Sequence, residues 1–373
     1  MKKGSISNYN SGSYLLAALF SFLFVQNLPA QSQDVFDKKN IKARMLQVTE
    51  WQLNNPKHAP TDWTNGAFYA GVVAAYETTK SKLIRDSLLA LGERTGWRPG
   101  ARYDHADDIA ISQTYIDMYR KKKDHRMIQA TIDTVQKLRT VPGREVKNHK
   151  ITWWWCDALF MAPPTLAKLG VTLKDPSYFA FNDSLFRETY ELLYNKTEHL
   201  FARDASYLVN RQGEGKREKN GKLVFWSRGN GWVMGGLVRL LDELPKNYPN
   251  REYYLTIYRE MAERIRLLQQ ADGLWRASLL DPAAYPGGEG SGSGFYCYAL
   301  AWGINRGILD KETYTPAVKK AWEGLNTLVS AEGRVGWVQP IGADPQKNFS
   351  AESWEVYGAG AFLLAGSQVI KLK

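Results

Sequence analysis

Asp157 lies in a segment rich in tryptophan and apolar residues, WWWCDALFMAPP (153–164). A carboxylate is costly to bury in such surroundings unless it is paired. Burial among tryptophan rings raises a carboxyl pKa, as a general acid requires. Three consecutive tryptophans cannot all face one side of a helix, so at least one ring should face a cavity or solvent. A capping aspartate or a salt-bridge partner is the alternative, but the surroundings favour Asp157 as a proton-transferring residue.

A second cluster of ionisable residues lies in RYDHADDIAISQTY (102–115), where Asp104, His105, Asp107 and Asp108 stand at a predicted helix start. One aspartate would suffice to cap that helix and to complement its dipole. Four ionisable groups within five residues exceed this need. Asp108 also precedes an apolar pair and is expected to face inward. We therefore predict a functional role for at least one member of the cluster.

Arg228 stands between Trp226 and Trp232 in FWSRGNGWVMGG (225–236). Its planar guanidinium matches a carboxylate bidentately, and the flanking tryptophans would stack on the ring that bears that carboxylate. A structural arginine that satisfies loop carbonyls is the alternative. Basic and aromatic residues in alternation also suit single-stranded nucleic acid, but a predicted export signal argues against that partner.

That export signal occupies residues 1–30. Lys2 and Lys3 precede the apolar run YLLAALFSFLFV (14–25), and small residues follow near Ala30. This is the organisation of a secretory signal peptide. A bilayer crossing needs ~20 apolar residues, so this run is short for a membrane anchor. We expect a secreted or periplasmic protein without a membrane span in its mature form, with residues 31–373 as a single catalytic domain.

The composition favours an acidic oligosaccharide as partner. The net charge is +11, and the chain has 13 Trp and 20 Tyr. Positive charge attracts acidic glycans, and aromatic faces stack on sugar rings. Five histidines without an HExxH or Cys/His cluster indicate no metal centre, and no cofactor is predicted. Cys156 and Cys297 lie in apolar or aromatic segments and are expected to be buried free thiols.

Helical periodicity dominates the chain and predicts twelve helices. They lie near 36–51, 66–79, 81–95, 107–121, 125–139, 153–169, 177–195, 231–244, 251–270, 293–307, 315–329 and 354–370. Segments that are apolar on most faces, such as GAFYAGVVAAYE, alternate with amphipathic ones, such as SKLIRDSLLALGER. A helix that is apolar all round is buried, and an amphipathic helix lies outside it. The alternation predicts an all-α toroid of six inner and six outer helices.

Two stretches depart from this pattern. LFARDASYL (200–208) and KLVFWSRG (222–229) have strand-like alternation around a polar turn that contains glycine. They predict a small β-hairpin on one rim of the toroid. PGGEGSGSGFYCYALAWG (286–303) is interpreted as a flexible Gly/Ser rim loop that leads into an aromatic helix. Loops on a rigid scaffold are where binding groups usually sit.

Together these segments resemble glycoside hydrolase family 105, the unsaturated rhamnogalacturonyl hydrolases. The resemblance runs from about Trp63 to the C-terminus. Its carriers are WTNGAF (63–68), HADDIAISQTY (105–115), WWWCDALFMAPP (153–164), LFARDASYL (200–208), FWSRGNGWV (225–233), DGLWRASLLDP (272–282), EGSGSGFYCYALAWGIN (289–305) and YGAGAFLLAGS (357–367).

The resemblance implies an (α/α)6 barrel and an unusual hydrolysis. The family's substrates are lyase-generated oligosaccharides, from rhamnogalacturonan or related acidic glycans, that end in a 4,5-unsaturated uronic acid. The family hydrates the C4=C5 double bond and leaves the anomeric carbon unattacked. An aspartate protonates C4 and helps a water attack C5, after which the hemiketal rearranges and releases the sugar.

By motif match, Asp157 is that aspartate and Asp108 is the second family carboxylate. Arg228 and Trp232 match a substrate-binding RGxxW element. Where some members carry a histidine, this chain has Ala202-Arg203-Asp204, so Arg203 or Asp204 is expected to replace it.

Further matches add an aromatic subsite position at Trp63 and a binding pair at His149 and Lys150. The predicted substrate-binding set is therefore Trp63, His105, Asp107, His149, Lys150, Trp154, Arg203, Trp226, Arg228 and Trp232.

Other functions fit the same residues. Fold does not fix function, and an ordinary inverting glycosidase or a sugar epimerase would use acid and base groups in the same cavity. A glycan-binding protein without activity predicts that Asp157→Asn leaves function intact. The hydrolase interpretation predicts lost activity with retained folding. The source polysaccharide, the terminal uronate and the oligomeric state stay open.

Overall fold

The helices follow the predicted order along the chain. The computed structural model describes residues 34–210 and 212–372. The predicted signal peptide, residues 1–30, lies outside the described residues and stays a prediction. The helices are α1 (Lys38–Asn54), α2 (Trp63–Thr79), α3 (Lys82–Thr95), α4 (Ala106–Ile109), α5 (Ser112–Lys122), α6 (Arg126–Leu138), α7 (Ala158–Met161), α8 (Pro163–Leu173), α9 (Ser177–Leu193), α10 (Ser227–Glu243), α11 (Arg251–Leu267), α12 (Gly290–Asn305), α13 (Lys311–Thr327) and α14 (Val356–Val369). The strands are β1 (Arg144–Val146), β2 (His149–Ile151), β3 (Tyr194–Asn195) and β4 (Leu200–Phe201).

Six helices form a closed inner ring. Each of α2, α5, α8, α10, α12 and α14 contacts the next, and α14 returns to α2. Six others, α1, α3, α6, α9, α11 and α13, pack around this ring. Because the chain alternates between the two layers, the predicted toroid of six inner and six outer helices is confirmed.

Composition sorts the helices between the two layers. Every residue of α14 is buried, as the inner layer requires. In outer helix α6 the buried residues are Met127, Ile128, Thr131, Val135 and Leu138, which form one stripe at helical spacing. A single apolar stripe faces the core and leaves the other face for solvent.

Glycines let the ring close between its first and last helices. The backbone of Gly71 in α2 meets that of Gly360 in α14 so closely that a Cβ at either position would overlap the other helix. Glycine removes that overlap. The close packing places Trp63, at the start of α2, beside Tyr357, at the start of α14, with ring centroids 5.4 Å apart.

Two predicted helices are interrupted. The helix predicted at 107–121 is divided into α4 and α5 around residues 110–111. The helix predicted at 153–169 begins late: residues 153–157 are not helical, α7 is one turn long, and Pro163 starts α8. Proline suits the first turn of a helix because the N–H that it lacks would be unpaired there. Asp107, Asp108 and Asp157 thus stand at the starts of one-turn helices.

The strands differ from the prediction. Residues 200–208 and 222–229 do not pair with each other; β4 pairs with β3 instead. The side chain of Asn230 explains the difference, because its Oδ1 accepts the N–H of Phe201 (2.8 Å) and its Nδ2 donates to the C=O of Phe201 (3.0 Å). The hairpin that reaches the rim is β1–β2, around Lys147 and Asn148. Among the helices of the described ranges, none is long and apolar enough to cross a membrane.

Candidate active site

The first turns of several inner helices meet at one end of the ring. Trp63 begins α2, Trp232 lies in the second turn of α10, and Tyr357 lies in the first turn of α14. The Trp232 ring is 5.9 Å from that of Trp63 and 5.8 Å from that of Tyr357. Helix starts carry partial positive charge on their unpaired N–H groups, so this end of the ring favours an anionic ligand.

Asp157 is buried at this end, directly before α7. Its Oδ2 lies 3.7 Å from Nε of Arg203 and 3.5 Å from the thiol of Cys156. Burial raises the pKa of Asp157, while the charges of Arg203 and Arg228 act to lower it, and the net direction is upward. The carboxyl therefore keeps its proton to a higher pH than a free aspartate does. A general acid near neutral pH needs this property.

The two aspartates of α4 have different environments. Asp108 accepts the backbone N–H of Arg102 at 2.7 Å and its Nε at 2.9 Å, so it secures the preceding loop. Nδ1 of His105 lies 3.7 Å from the Asp107 carboxyl group. Burial, and then the charge of Asp157, raise the pKa of Asp107 to about 7. Asp107 is therefore buried and affected by the charge of Asp157, whereas Asp108, the predicted second catalytic carboxylate, binds Arg102.

His105 lies beside Asp107 and against Trp155, with ring centroids 4.6 Å apart. Its Nδ1 is buried and has no hydrogen-bond partner in the described part of the chain. Burial lowers the pKa of His105, so the imidazole is neutral at neutral pH. A neutral imidazole can exchange one hydrogen bond at each nitrogen, and a substrate hydroxyl would give Nδ1 its missing partner.

Arg203 places a positive charge beside the buried acid. Its Nη1 donates to Asp204 at 2.7 Å, and its backbone C=O accepts the N–H of Cys156 at 2.9 Å. Its Nε, 3.7 Å from Asp157, is buried without a hydrogen bond in the described residues. Arg203 therefore stabilises the carboxylate that forms when Asp157 loses its proton.

Arg228 is fully buried near the start of α10. Its Nη1 donates to the C=O of Gln339, and its Nη2 donates to the C=O of Pro340 at 3.0 Å. The guanidinium lies 4.5 Å from the ring centre of Trp226 and 4.8 Å from that of Tyr357. These Nη contacts are those of the structural alternative, in which the arginine satisfies loop carbonyl groups. Its Nε is buried without a hydrogen bond in the described residues, and the bidentate grip on a substrate carboxylate stays a prediction.

Known proteins resemble this chain over its whole described length. A family model described as Glycosyl Hydrolase Family 88 matches residues 37–373. The chain belongs to glycosyl hydrolase family 88. An unsaturated 3S-rhamnoglycuronyl hydrolase from Formosa agariphila is 43% identical to it over 358 residues, which cover 93% of this chain and 95% of the relative.

Two solved structures have the same fold as this family 88 hydrolase. A family 88 glycosyl hydrolase from Bacteroides vulgatus has a TM-score of 0.82 at 29% identity, and the match covers 90% of this chain and 99% of the other. A protein described as a polysaccharide lyase also has a TM-score of 0.82, at 30% identity, over 89% of this chain and 97% of the other.

The predicted tryptophans of the family 88 site differ in exposure. Trp226 and Trp232 are buried, whereas Trp63 and Trp154 are partly exposed. Trp63 and Trp154 thus have ring surface to offer a sugar, and the buried pair supports the site. Trp154 is also the member of the tryptophan triplet that faces outward, as the sequence predicted for at least one of them.

His149 and Lys150 lie on the exposed strand β2. No hydrogen bond or ion pair joins either to Asp157 within the described residues. Their hairpin approaches the site through Arg144 of β1, whose guanidinium is 5.2 Å from the ring centre of Trp154. The predicted pair therefore belongs to the outer rim, on a basic hairpin that we define as Arg144–Ile151.

One wall of the site was not predicted. The loop after α13 supplies Gln339, whose C=O accepts both Arg228 and the hydroxyl of Tyr357, the latter at 2.7 Å. The stretch QPIGADP (339–345) signalled a loop, but nothing in it identified a partner more than a hundred residues away. The Gly/Ser loop predicted before the aromatic helix is shorter than expected: that helix, predicted at 293–307, is α12 and begins at Gly290, where the buried carboxylate of Glu289 accepts the N–H groups of its first turn.

The remaining chemistry of the site is simple. Cys156 and Cys297 are buried free thiols, which confirms their prediction. Burial raises the pKa of both thiols, so neither is a ready nucleophile. Within the described ranges, no three His, Cys, Asp or Glu side chains are grouped as metal ligands would be.

Proposed function

We propose that this family 88 enzyme removes a 4,5-unsaturated uronic acid from the non-reducing end of lyase-generated oligosaccharides, with the hydration chemistry of family 105. The observation that carries the proposal is a buried Asp157, whose pKa burial raises and whose Oδ2 lies 3.7 Å from Nε of Arg203. Protonation activates an enol ether, so one well-placed acid suffices. The separation that ordinary glycosidases need between two carboxylates is then not required.

The proposed reaction is a balanced hydration. Asp157 gives its proton to C4, the C4=C5 electron pair forms the new C–H bond, and positive charge develops at C5 and the ring oxygen. Water adds to C5 and returns a proton to Asp157. The C5 hemiketal opens with cleavage of the bond to the ring oxygen, and C1, now a hemiacetal, expels the linked sugar. Arg203 stabilises the Asp157 carboxylate between the two proton transfers.

Asp107 takes the position that the family resemblance gave to Asp108. Burial and the charge of Asp157 raise the pKa of Asp107 to about 7, and burial raises the pKa of Asp157, so both carboxyl groups keep their protons to a higher pH than a free aspartate does. We propose that Asp107 and His105 bind hydroxyl groups of the unsaturated ring. Trp63 and Trp154, the partly exposed pair, would stack on the sugars.

We further propose that the sugar linked to the unsaturated uronate is a sulfated rhamnose. The Formosa agariphila relative is an unsaturated 3S-rhamnoglycuronyl hydrolase, and the basic hairpin offers cations where the second sugar would leave the site. Arg144, Lys147 and Lys150 are basic residues of this hairpin, and Arg144 lies over Trp154. Cations of this kind attract a sulfate by long-range charge.

The test follows the ultraviolet absorbance of unsaturated uronates, at about 235 nm, on lyase-generated oligosaccharides, because acid-catalysed hydration removes the chromophore. Wild-type enzyme should abolish the absorbance, and sulfated substrates should be preferred over desulfated ones. Asp157→Asn should keep its fold and lose activity, since Asn cannot donate the acid proton. Asp108→Asn is the matched variant: its activity loss should follow its loss of stability.

A lyase is the second candidate, since one solved structure at 30% identity is described as a polysaccharide lyase. A lyase creates the chromophore from intact polysaccharide, so the absorbance would rise where the hydrolase makes it fall. An inverting glycosidase would cleave saturated substrates and leave the chromophore in place. The proposed function would be refuted if the absorbance fell on none of the unsaturated substrates.

A further inference from the structure

Helix α7, which follows Asp157, is one turn long and cannot satisfy its own carbonyl groups. In an α-helix the C=O of one residue accepts the N–H of the residue four positions later. For Leu159 and Phe160 those residues are Pro163 and Pro164, which have no N–H. The two prolines start α8, but they leave the end of α7 without donors.

Gln113 of α5 supplies a donor to this end. Its Nε2 donates to the C=O of Phe160 at 2.9 Å and to the C=O of Met161 at 3.2 Å. The helical donor for Met161 would be Thr165, whose N–H donates to Ala162 instead. Gln113 is fully buried, and a buried unpaired C=O is costly. Gln113 therefore fixes the end of the turn that Asp157 begins.

Arg239 of α10 fixes the direction of the Gln113 amide. Its Nε donates to Oε1 of Gln113 at 2.6 Å. A guanidinium has donors only, so the amide must present its oxygen to Arg239 and its NH2 to α7. The guanidinium also lies 6.0 Å from the ring centre of Phe160. Two inner helices thereby hold α7 in register.

We propose that Gln113 and Arg239 are positioning residues that act on Asp157 through α7. The turn spans only ~6 Å at 1.5 Å per residue, so a shift at its far end reaches Asp157 directly. Misplacement of a reacting group by ~1 Å costs about a hundredfold in rate. The kinetic part of this inference rests on the proposed function, whereas its structural part does not.

The kinetic test removes the donor but keeps the volume. Gln113→Met should lower kcat by roughly 10- to 100-fold with KM within about threefold, and it should shift the alkaline limb of the pH–kcat profile. Arg239→Met should do the same, and Arg239→Lys, which retains a donor, should recover most of the loss. Asn182→Leu is the matched control, because Asn182 is an equally buried amide on outer helix α9 that donates to Tyr254 at 3.2 Å. Its kcat should be unchanged.

Hydrogen–deuterium exchange provides a readout that needs no substrate. Amides of residues 157–162 should exchange at least ~10-fold faster in Gln113→Met than in wild type or Asn182→Leu. If wild type fails on unsaturated oligosaccharides but this difference appears, the proposed function falls and the positioning of α7 stands. If a folded Gln113→Met keeps wild-type exchange and, on an active enzyme, wild-type kcat, the positioning inference is overturned. Should Gln113→Met not fold, Arg239→Met decides in its place.

Discussion

Asp107→Asn should stabilise the protein at alkaline pH and leave its stability at acid pH almost unchanged. The pKa of Asp107 is about 7 in the fold against 3.8 for an ordinary aspartate, so the folded state keeps a proton that the unfolded chain has lost. The free energy of unfolding therefore falls as pH rises from about 4 to about 7, by up to ~4 kcal/mol at ~1.4 kcal/mol per unit. The side chain is 18% exposed, so about 2–4 kcal/mol is the expected range once solvent screening is allowed for.

Urea unfolding followed by tryptophan fluorescence at pH 4, 6 and 8 measures this difference. The advantage of Asp107→Asn should be near zero at pH 4 and largest at pH 8. Asp108→Asn is the control with the opposite sign, because it removes the negative charge and one of the two oxygens that accept N–H groups of Arg102, and it should destabilise the protein at pH 8. A stability advantage of Asp107→Asn that does not grow with pH would refute the raised pKa of Asp107 in the folded state.

Two further substitutions test the charges around the ring. Arg203→Met removes a cation that lowers the pKa of Asp157, so the pH at which kcat falls on the alkaline side should rise; an unchanged pH–kcat profile would contradict this role. At the other end of the ring, burial acts to raise the pKa of Glu243, but Lys168 and Arg120 lower it to about 2. Glu243 thus stabilises the fold above its ordinary pKa of about 4.5, and this stability is lost as pH falls toward 2. Glu243→Gln should lower the free energy of unfolding by about 3 kcal/mol at pH 7, because it leaves a buried cation underpaired. Thermal unfolding should show a smaller loss at pH 3. A loss of stability that does not depend on pH would count against the ion pair.

The helical layers were predictable because the residues of each helix indicate whether it belongs to the inner or the outer layer. A segment such as YGAGAFLLAGSQV, small and apolar on all faces, has no stable position except the inner ring. The interruption of the helix near Asp157 could also be predicted from the sequence, since Pro163 and Pro164 end one turn and start the next helix. Neither proline reveals that Gln113, on another helix, satisfies the carbonyl groups that they leave.

The site residues were harder to predict for the same reason. Asp107 and Asp108 are adjacent, and only the fold decides that Asp108 binds Arg102 while Asp107 is buried near the charge of Asp157. Arg228 was recognised from its tryptophan neighbours, but its partners are carbonyl groups of a loop beyond the next three helices. The residues at 200–208 do alternate as in a strand. However, the side chain of Asn230 hydrogen-bonds the backbone N–H and C=O of Phe201, so these groups do not pair with the expected partner strand.

Closure of the ring also determines when the site can exist during synthesis. Helix α14 packs between α2 and α12. The first inner helix, α2, therefore cannot contact its last neighbour until nearly the whole chain has been synthesised. Until then the nascent protein exposes two apolar faces, which are prone to aggregation, and contacts between distant segments form slowly. Tyr357 arrives with that same helix, so a nascent chain that ends before α14 lacks both the closing contact and one wall of the site.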